Sequence, residues 1–291
     1  MDRYTLSDRE KLTGIKSGTI RIWERRYRII KPHRTETNRR WYDDDDLRRI
    51  INIAIIYRDG TKISKIATLS GSEIEEKVTA ISREAMNPDT LVDSLIIAMT
   101  GFSENGVNEI LLRSIIRMGF EKTFTDVVFP FLKRVGTMWQ TGSANISAEH
   151  FITNLFRRRL IAAIDALPSG VSPEKKRAVL FLPENELHEM GLLFYTFIIK
   201  SIGHDVLYLG QSTPMNALAE AVEHWHPGIL VTGSLSGLPY TSPEDYLKRL
   251  SSAFPAQKIL VSGFLATAKG KTIYPNLFAV GSVDELKTHF S

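Results

Sequence analysis

The sequence contains no cysteine among its 291 residues. This absence excludes disulfide bonds, thiol nucleophiles and zinc sites built from thiolates. Long apolar runs are also missing, since no stretch approaches the roughly 20 apolar residues that a membrane helix needs. The charged N-terminal stretch MDRYTLSDREKLTG lacks the apolar segment of a signal peptide. We therefore expect a cytoplasmic protein that makes no contact with a membrane.

Sequence signatures of catalysis and of repetition are missing as well. We find no internal repeat, no low-complexity tract, no P-loop, no Ser-His-Asp set and no paired carboxylates in a clear catalytic context. The hydrophobic fraction of 43% nevertheless allows sizeable cores, and the length favours about two domains or a little more. The sequence therefore predicts a folded multidomain protein that is not an enzyme.

Positive charge is concentrated at the N-terminus. Residues 1–42 hold 12 Lys and Arg against 5 Asp and Glu, a net charge of +7, although the whole chain carries only +4. Basic charge confined to one small segment indicates a local site for a polyanion rather than general solubility.

The basic segment has the pattern of a helix-turn-helix with a wing. Residues 4–15 (YTLSDREKLTGI) have the apolar spacing of a short helix, KSGT predicts a turn and helix cap, and Ile20–Ile30 predicts a basic second helix that Pro32 ends. Strand-like and turn-like residues around Arg39–Tyr42 then predict a small β-wing. Acidic Asp43–Asp46 suits the start of the next helix.

Side chains from the start of the second helix and from the wing are the candidates for DNA contact, because base edges and phosphates need hydrogen-bond donors. Trp41 and Tyr42 would either pack the wing or touch sugars. A solvated basic face on a small helical domain is the alternative. The candidate residues are Lys16, Ser17, Thr19, Arg21, Arg25, Arg39, Arg40, Trp41 and Tyr42.

The rest of the chain divides into two further parts. Residues 73–170 follow a plausible linker (Ser70–Glu73) and show the pattern of four or five bundled helices. Residues 176–291 alternate five short apolar runs with helical segments, which predicts a doubly wound, five-stranded parallel sheet. We therefore expect a multidomain α and α/β protein with a winged helix-turn-helix in residues 1–72.

A histidine follows the first strand of the predicted sheet, in the loop ENELHEMG. Glu186, His188 and Gly191 form the pattern E-x-H-x-x-G. The imidazole can coordinate a transition metal, the carboxylate can hold the other ring nitrogen, and the glycine can admit a large planar ligand. One protein ligand is too few to hold a bare metal ion, so we expect the metal to be bound within a macrocyclic cofactor. A surface histidine in a charged loop is the alternative reading.

Two stretches of the N-terminal segment, TIRIWERRY and RTETNRRWY, resemble the MerR-family winged helix-turn-helix. The resemblance implies binding to double-stranded operator DNA by a dimer or a higher oligomer. It also implies DNA contact by Arg21, Arg39 and Arg40.

The loop around His188 resembles the D-x-H-x-x-G loop of cobalamin-binding domains, with Glu186 in place of aspartate. The resemblance implies that His188 is the lower axial ligand of cobalt. In that family, small hydroxyl residues follow the third strand and a Gly-Gly pair follows the fourth, and both line the tail of the cofactor. Here the corresponding candidates are Thr232, Ser234, Ser262 and Gly263.

The middle segment contains Trp139, nine further residues, and then Glu149-His150. This pattern resembles the CarH/LitR regulators, in which a helical bundle caps the cofactor and these residues enclose its adenosyl group. A core tryptophan and an ordinary helix start are the alternative. CarH-type photoreceptors often carry a histidine after this tryptophan, whereas Gln140 stands here, which puts a bis-histidine photoproduct in doubt.

Together the resemblances imply a transcriptional regulator, most simply a repressor, that binds adenosylcobalamin and is controlled by light. The regulator would be a dimer or a tetramer. Cleavage of the Co–C bond would then change its oligomeric state and its affinity for the operator. One alternative is a light-independent regulator with a vestigial cobalamin domain that a protein partner, such as an antirepressor, switches. Another is a corrinoid carrier for methyl transfer, although such a carrier has no need of a basic winged helix.

Overall fold

The computed structural model describes residues 4–35, 38–84, 87–139, 146–168, 175–239, 241–267 and 274–291. The chain divides into two compact units, Met1–Phe156 and Arg157–Ser291. The first unit contains both the predicted DNA-binding segment and most of the predicted helical segment.

The predicted helix-turn-helix is formed by α1 (Leu6–Thr13) and α2 (Ser17–Tyr27). Thr5 and Asp8 form a capping box at the start of α1, and Gly14 ends that helix with φ +67°. Helix α2 begins three residues earlier than predicted and ends at Tyr27, because Arg28 adopts the left-handed conformation with φ +51°. Pro32 therefore does not end it.

The predicted wing is an antiparallel hairpin of β1 (His33–Arg34) and β2 (Arg40–Trp41). Helix α3 (Asp44–Arg58) follows, and the Asp43 carboxylate accepts a hydrogen bond from the Asp46 N–H at 2.9 Å. This cap explains why the run of aspartates starts a helix. The short α4 (Ile63–Ile66) comes next.

Helices continue through the middle of the chain. Ser70–Glu73 was predicted to be a linker, but α5 already begins at Gly71. The Ser70 N–H donates to the Glu73 carboxylate at 2.7 Å, which caps the start of this helix. A break at Gly119, which was not predicted, separates α7 from α8, and Phe124–Val128 is a π-helical segment. The helices are α5 (Gly71–Glu84), α6 (Pro88–Thr100), α7 (Glu104–Met118), α8 (Phe120–Thr123), α9 (Phe129–Trp139) and α10 (Ile146–Asp165).

Parallel strands form the centre of the second unit, as the apolar runs predict. Within the described residues they form a five-stranded sheet in the order β4-β3-β5-β6-β7, with every neighbouring pair parallel. The predicted fold class is therefore confirmed. The strands are β3 (Arg177–Phe181), β4 (Asp205–Gly210), β5 (Ile229–Ser234), β6 (Lys258–Ser262) and β7 (Leu277–Ala279). The intervening helices are α11 (Met190–Ser201), α12 (Met215–Trp225), α13 (Pro243–Ala253), α14 (Gly263–Thr267) and α15 (Val283–Thr288).

Burial of the central strands on both faces holds this sheet together. All six residues of β5 and four of the five residues of β3 are buried. Fully burying one such aliphatic side chain contributes about 1.5–3 kcal/mol. The core includes Val179, Phe181, Leu230, Leu247, Ile259 and Val261.

The strand order identifies the position of the candidate site. The chain passes from β3 to β4 on one side and then returns to β5 on the other side of β3. Ligands of open α/β sheets bind at such a reversal, outside the carboxyl ends of the strands. The loops that follow β3 and β5 flank this point.

No helix within the described ranges combines the length and the apolar character that crossing a bilayer requires.

Candidate functional site

His188 lies in the loop between β3 and α11, beside the reversal of strand order. Its side chain is 60% exposed, and its Nδ1 lies 2.6 Å from the Oε1 of Glu186. The same carboxylate oxygen accepts a hydrogen bond from the His188 backbone N–H at 2.9 Å. Glu186, by contrast, is buried. A buried carboxylate therefore orients an exposed imidazole.

The second oxygen of Glu186 ties this loop to the loop after β5. The backbone N–H of Leu235 donates to Glu186 Oε2 at 2.9 Å. Burial alone would raise the pKa of Glu186, but the hydrogen bonds from His188 and Leu235 outweigh it, so the pKa lies below its usual value. An ionised carboxylate only accepts hydrogen bonds, so His188 Nδ1 donates to it, and Nε2 is the ring nitrogen that is left to bind a metal.

Three exposed apolar side chains follow the carboxyl ends of β3, β5 and β6. Leu187 and Leu235 are 61% and 70% exposed, and Phe264, at the start of α14, is 42% exposed. Gly191 is exposed too, and a methyl group added to it would meet nothing within 4 Å. Exposed apolar side chains beside one oriented nitrogen suit a large, flat, mostly apolar ligand that supplies its own metal.

The four residues predicted to line a cofactor tail lie on two neighbouring strand ends. Thr232 and Ser234 are buried in β5, and the hydroxyl oxygen of Ser234 has no hydrogen-bond partner among the described residues. Gly263 (φ +63°) forms an isolated parallel bridge with Ser234, and a Cβ on it would lie 2.3 Å from the Ser234 carbonyl oxygen. Ser262 lies across from Gly233 of β5, and its Oγ would be 2.4 Å from a Cβ at that glycine. Glycine is therefore required at position 263, where the conformation is left-handed and the clash is with backbone.

Glu189 is a buried neighbour of His188 whose burial the sequence did not reveal. Sequence alone suggests no role for it beyond solvation, yet it is 6% exposed. Its two oxygens accept from the Tyr208 hydroxyl at 2.6 Å and from Nε of Arg157 on α10 at 2.5 Å. Glu189 therefore anchors the residue next to His188 to β4 and to the C-terminal half of α10.

Replacing Glu189 with alanine should lower the free energy of unfolding by about 1–3 kcal/mol, because the partly buried Tyr208 hydroxyl loses its acceptor. The half-exposed Arg157 contributes less, since water screens its charge. Urea unfolding followed by circular dichroism measures the change. Glu184→Ala is the matched control, because this glutamate of the same loop is exposed, and its effect should stay within about 0.5 kcal/mol. Equal stability of the two variants would contradict the anchoring role.

The three residues predicted to cap a cofactor belong to the first unit. Trp139 is the last residue of α9, and Glu149 and His150 lie in the first turns of α10. Glu149 is half-buried and lies 3.4 Å from the Thr153 hydroxyl, whereas His150 is exposed. Gln140 lies outside the described residues.

The predicted DNA-contacting residues mostly lie on exposed faces. Helix α2 buries Ile20 and Trp23 and exposes Arg21 and Arg25. Lys16, at the start of α2, is exposed as well, and Thr19 is half-buried. On the wing Arg39 and Arg40 are exposed, and the Trp41 ring stacks on His33 with centroids 4.4 Å apart.

Tyr42 and Ser17 have structural partners instead of a free surface. Tyr42 is completely buried, donates to the Glu24 carboxylate at 2.5 Å, and stacks beneath the buried guanidinium of Arg9. It therefore packs the wing and cannot touch DNA in this conformation, which corrects its assignment as a DNA contact. The Ser17 hydroxyl donates to Glu10 at 2.5 Å. Arg40 lies 3.9 Å from Glu24, so its charge is partly engaged.

Comparison with protein families assigns two parts of the chain. Residues 4–72 match the family described as MerR HTH family regulatory protein. Residues 91–163, which run from α6 into α10, match the family described as B12 binding domain. The first match covers the helix-turn-helix and wing, and the second covers Trp139, Glu149 and His150.

Two relatives match most of the chain. The HTH-type transcriptional repressor CarH of Myxococcus xanthus is 29% identical, over 87% of this chain and 85% of the relative. CarA of the same organism, another HTH-type transcriptional repressor, is 28% identical over 91% and 88%. In fold, 70% of the chain resembles 94% of the monomethylamine corrinoid protein of Methanosarcina barkeri, with a TM-score of 0.50 and 16% identity. The chain therefore contains one segment that matches the MerR HTH family and another that matches the B12 binding domain family, and it is similar to the CarH repressor along most of its length.

Proposed function

We propose that the chain is a transcriptional repressor that binds operator DNA through α2 and the wing and binds adenosylcobalamin through the second unit and the helical segment. Light would release the operator by changing the oligomeric state. The observation that carries the cofactor part is the pairing of an exposed His188 with a buried, ionised Glu186 at the reversal of strand order.

The side chains around His188 fit a cobalt corrinoid. His188 offers Nε2 as a metal ligand, and hydrogen bonding of its Nδ1 to Glu186 raises the basicity of that nitrogen. Leu187 and Leu235 offer apolar surface to a macrocycle, and the unpartnered Ser234 hydroxyl offers a hydrogen bond to a buried tail. Thr232, Ser262 and Gly263 would line the same tail. Bound adenosylcobalamin would supply a light-sensitive cobalt–carbon bond.

The helical segment would cover the opposite face of the cofactor. Trp139, Glu149 and His150 are the residues that would enclose an adenosyl group, by their match to the CarH-type pattern. The amide of Gln140 is a poor substitute for imidazole as a metal ligand, so this chain should give no stable bis-histidine product after illumination.

Control of DNA binding then follows from linkage. A cofactor that prefers one assembly of chains over another shifts the population toward that assembly. A dimer or tetramer presents several copies of α2 at once, which raises its affinity for an operator with repeated half-sites. Loss of the adenosyl group removes the preference and weakens operator binding.

The test is an absorbance spectrum of the purified chain after incubation with adenosylcobalamin in the dark, followed by illumination and a measurement of oligomeric mass. We expect retained corrinoid, a spectral change in light and a change in mass. Protein that retains no corrinoid after gel filtration would contradict the proposal.

The same experiment separates the alternatives. Bound corrinoid with no light-dependent change in mass would favour a light-independent regulator switched by a protein partner. Two departures from the family pattern support this alternative, namely Ser262 in the Gly-Gly pair and Gln140 after the tryptophan. A methyl-carrier role is disfavoured by the basic helix-turn-helix, and methylation of the bound corrinoid by a methyl donor would revive it.

A further inference from the structure

A completely buried carboxylate connects the DNA-binding helices to the helical segment inside the first unit. Asp93 of α6 has no exposed surface, and each of its oxygens accepts from an arginine of a different helix. Arg58, the last residue of α3, donates to one oxygen. Arg134 of α9 donates to the other at 2.6 Å.

Arg58 extends this network to the turn of the helix-turn-helix. Its second terminal nitrogen donates to the carbonyl oxygen of Thr13, the last residue of α1. Thr13 is also buried, and its hydroxyl oxygen accepts a hydrogen bond from the Ile15 N–H at 3.2 Å. Gly14 follows in the left-handed conformation, and α2 begins at Ser17. The network therefore ends at the turn that sets the direction of α2.

The other end of the network lies on the helix that carries a candidate cofactor residue. Arg134 stands five residues before Trp139 on α9. Helix α9 also packs against α1, and α3 packs against α6. A shift or rotation of α9 would therefore move Arg134 relative to Asp93. Because Arg58 binds both Asp93 and Thr13, a displacement of Asp93 would also move Arg58 and so change its hydrogen bond to Thr13.

We propose that Asp93, held between Arg58 and Arg134, is a positioning residue that couples the cofactor-binding helices to the turn before the DNA-contacting helix. This inference rests on the proposed function. A buried ion pair adds little net stability compared with apolar packing, but removing one partner leaves an uncompensated buried charge. Coupling between distant sites requires an element with two discrete arrangements, and in this proposal these are the intact and the broken network.

The test is Arg134→Gln, which removes the ion pair between α9 and Asp93 and keeps the pair between Arg58 and Asp93. DNA affinity is measured with and without adenosylcobalamin in the dark, on a duplex that the wild-type chain selects from a randomised pool. Coupling between sites typically amounts to about 5- to 150-fold. We expect the variant to keep its corrinoid spectrum and cofactor-free DNA affinity, and to lose most of the gain in affinity that the cofactor causes. Arg134→Lys, which keeps the charge, should restore part of that gain.

Arg113→Gln is the control, because Arg113 pairs on the surface of α7 with Glu109 and does not contact Asp93. It should keep the full gain. If Arg134→Gln also keeps the full gain, the inference is wrong.

Hydrogen exchange tests the network without relying on the cofactor. The amides of Gly14, Ile15 and Ser17 are hydrogen-bonded in the turn, so Arg134→Gln should accelerate their exchange more than Arg113→Gln does. Unchanged exchange would overturn the inference. A wild-type chain whose DNA affinity ignores the cofactor would instead contradict the proposed function, and hydrogen exchange would still decide whether the network acts on the turn.

Discussion

Replacing His188 with alanine should lower the affinity for adenosylcobalamin by at least about 100-fold and change the spectrum of any corrinoid that remains bound. Residues that only support a metal ligand typically contribute about 10- to 100-fold to metal affinity, so removal of the ligand itself should cost no less. Titration of the chain with adenosylcobalamin in the dark, read by absorbance, measures both quantities.

The geometry of the loop makes this variant a clean test. The His188 side chain is mostly exposed, so its removal leaves no cavity. Glu186 loses the contact with the imidazole but keeps the backbone N–H of Leu235 at 2.9 Å. We therefore expect the fold to survive and the loss to fall on binding alone.

His224→Ala is the matched control for this prediction. His224 is also exposed, in the second unit, and its Nδ1 lies 2.8 Å from the backbone carbonyl oxygen of Glu220 in the same helix. Its loss should leave the spectrum and the affinity unchanged. An unchanged spectrum and affinity of His188→Ala would rule out ligation by His188.

The second unit was predictable because its local and long-range signals agree. The apolar run Lys258–Val261 predicts a buried strand and lies within β6, and the helix Pro243–Ala253 has the predicted bounds. Its start is strongly marked, since the Ser242 hydroxyl accepts from the Asp245 N–H at 3.0 Å and Pro243 occupies the first turn. Where a helix cap and an apolar face coincide, the sequence contains enough information to predict the bounds of the helix.

The end of α2 and the role of Glu189 were not predictable for a different reason. Arg28 ends α2 in a left-handed conformation that arginine rarely adopts. Glu189 is buried by partners on α10 and on β4. Both features depend on tertiary packing, which residue type and spacing do not encode locally.

The predicted site divides in the same way. Glu186 and His188 are two residues apart, so their contact needs only a loop, and the spacing itself indicates it. For Tyr42 the sequence was misleading, because a tyrosine next to basic wing residues suggests contact with DNA. Only the three-dimensional position of Arg9 and Glu24 reveals that it belongs to the core.

Replacing Arg21 with alanine should weaken operator binding by about 5- to 150-fold per protomer, the range that corresponds to the 1–3 kcal/mol of one good base contact. Arg21 lies on the exposed face of α2, and no ion-pair partner for it is found among the described residues. Its guanidinium is therefore available to DNA, in contrast to that of Arg40, which lies 3.9 Å from Glu24.

The dependence of this effect on salt tells which part of DNA Arg21 contacts. If it contacts a phosphate, the slope of log affinity against log salt should fall by about one per protomer, and the loss should be similar for all sequences. If it contacts a base, the slope should change little and the preference for the selected duplex should relax. Lys248→Ala removes the same charge from an exposed position in the second unit, so it corrects for the change in net charge. Affinity that equals that of Lys248→Ala at every salt concentration would show that this face of α2 does not enter the groove.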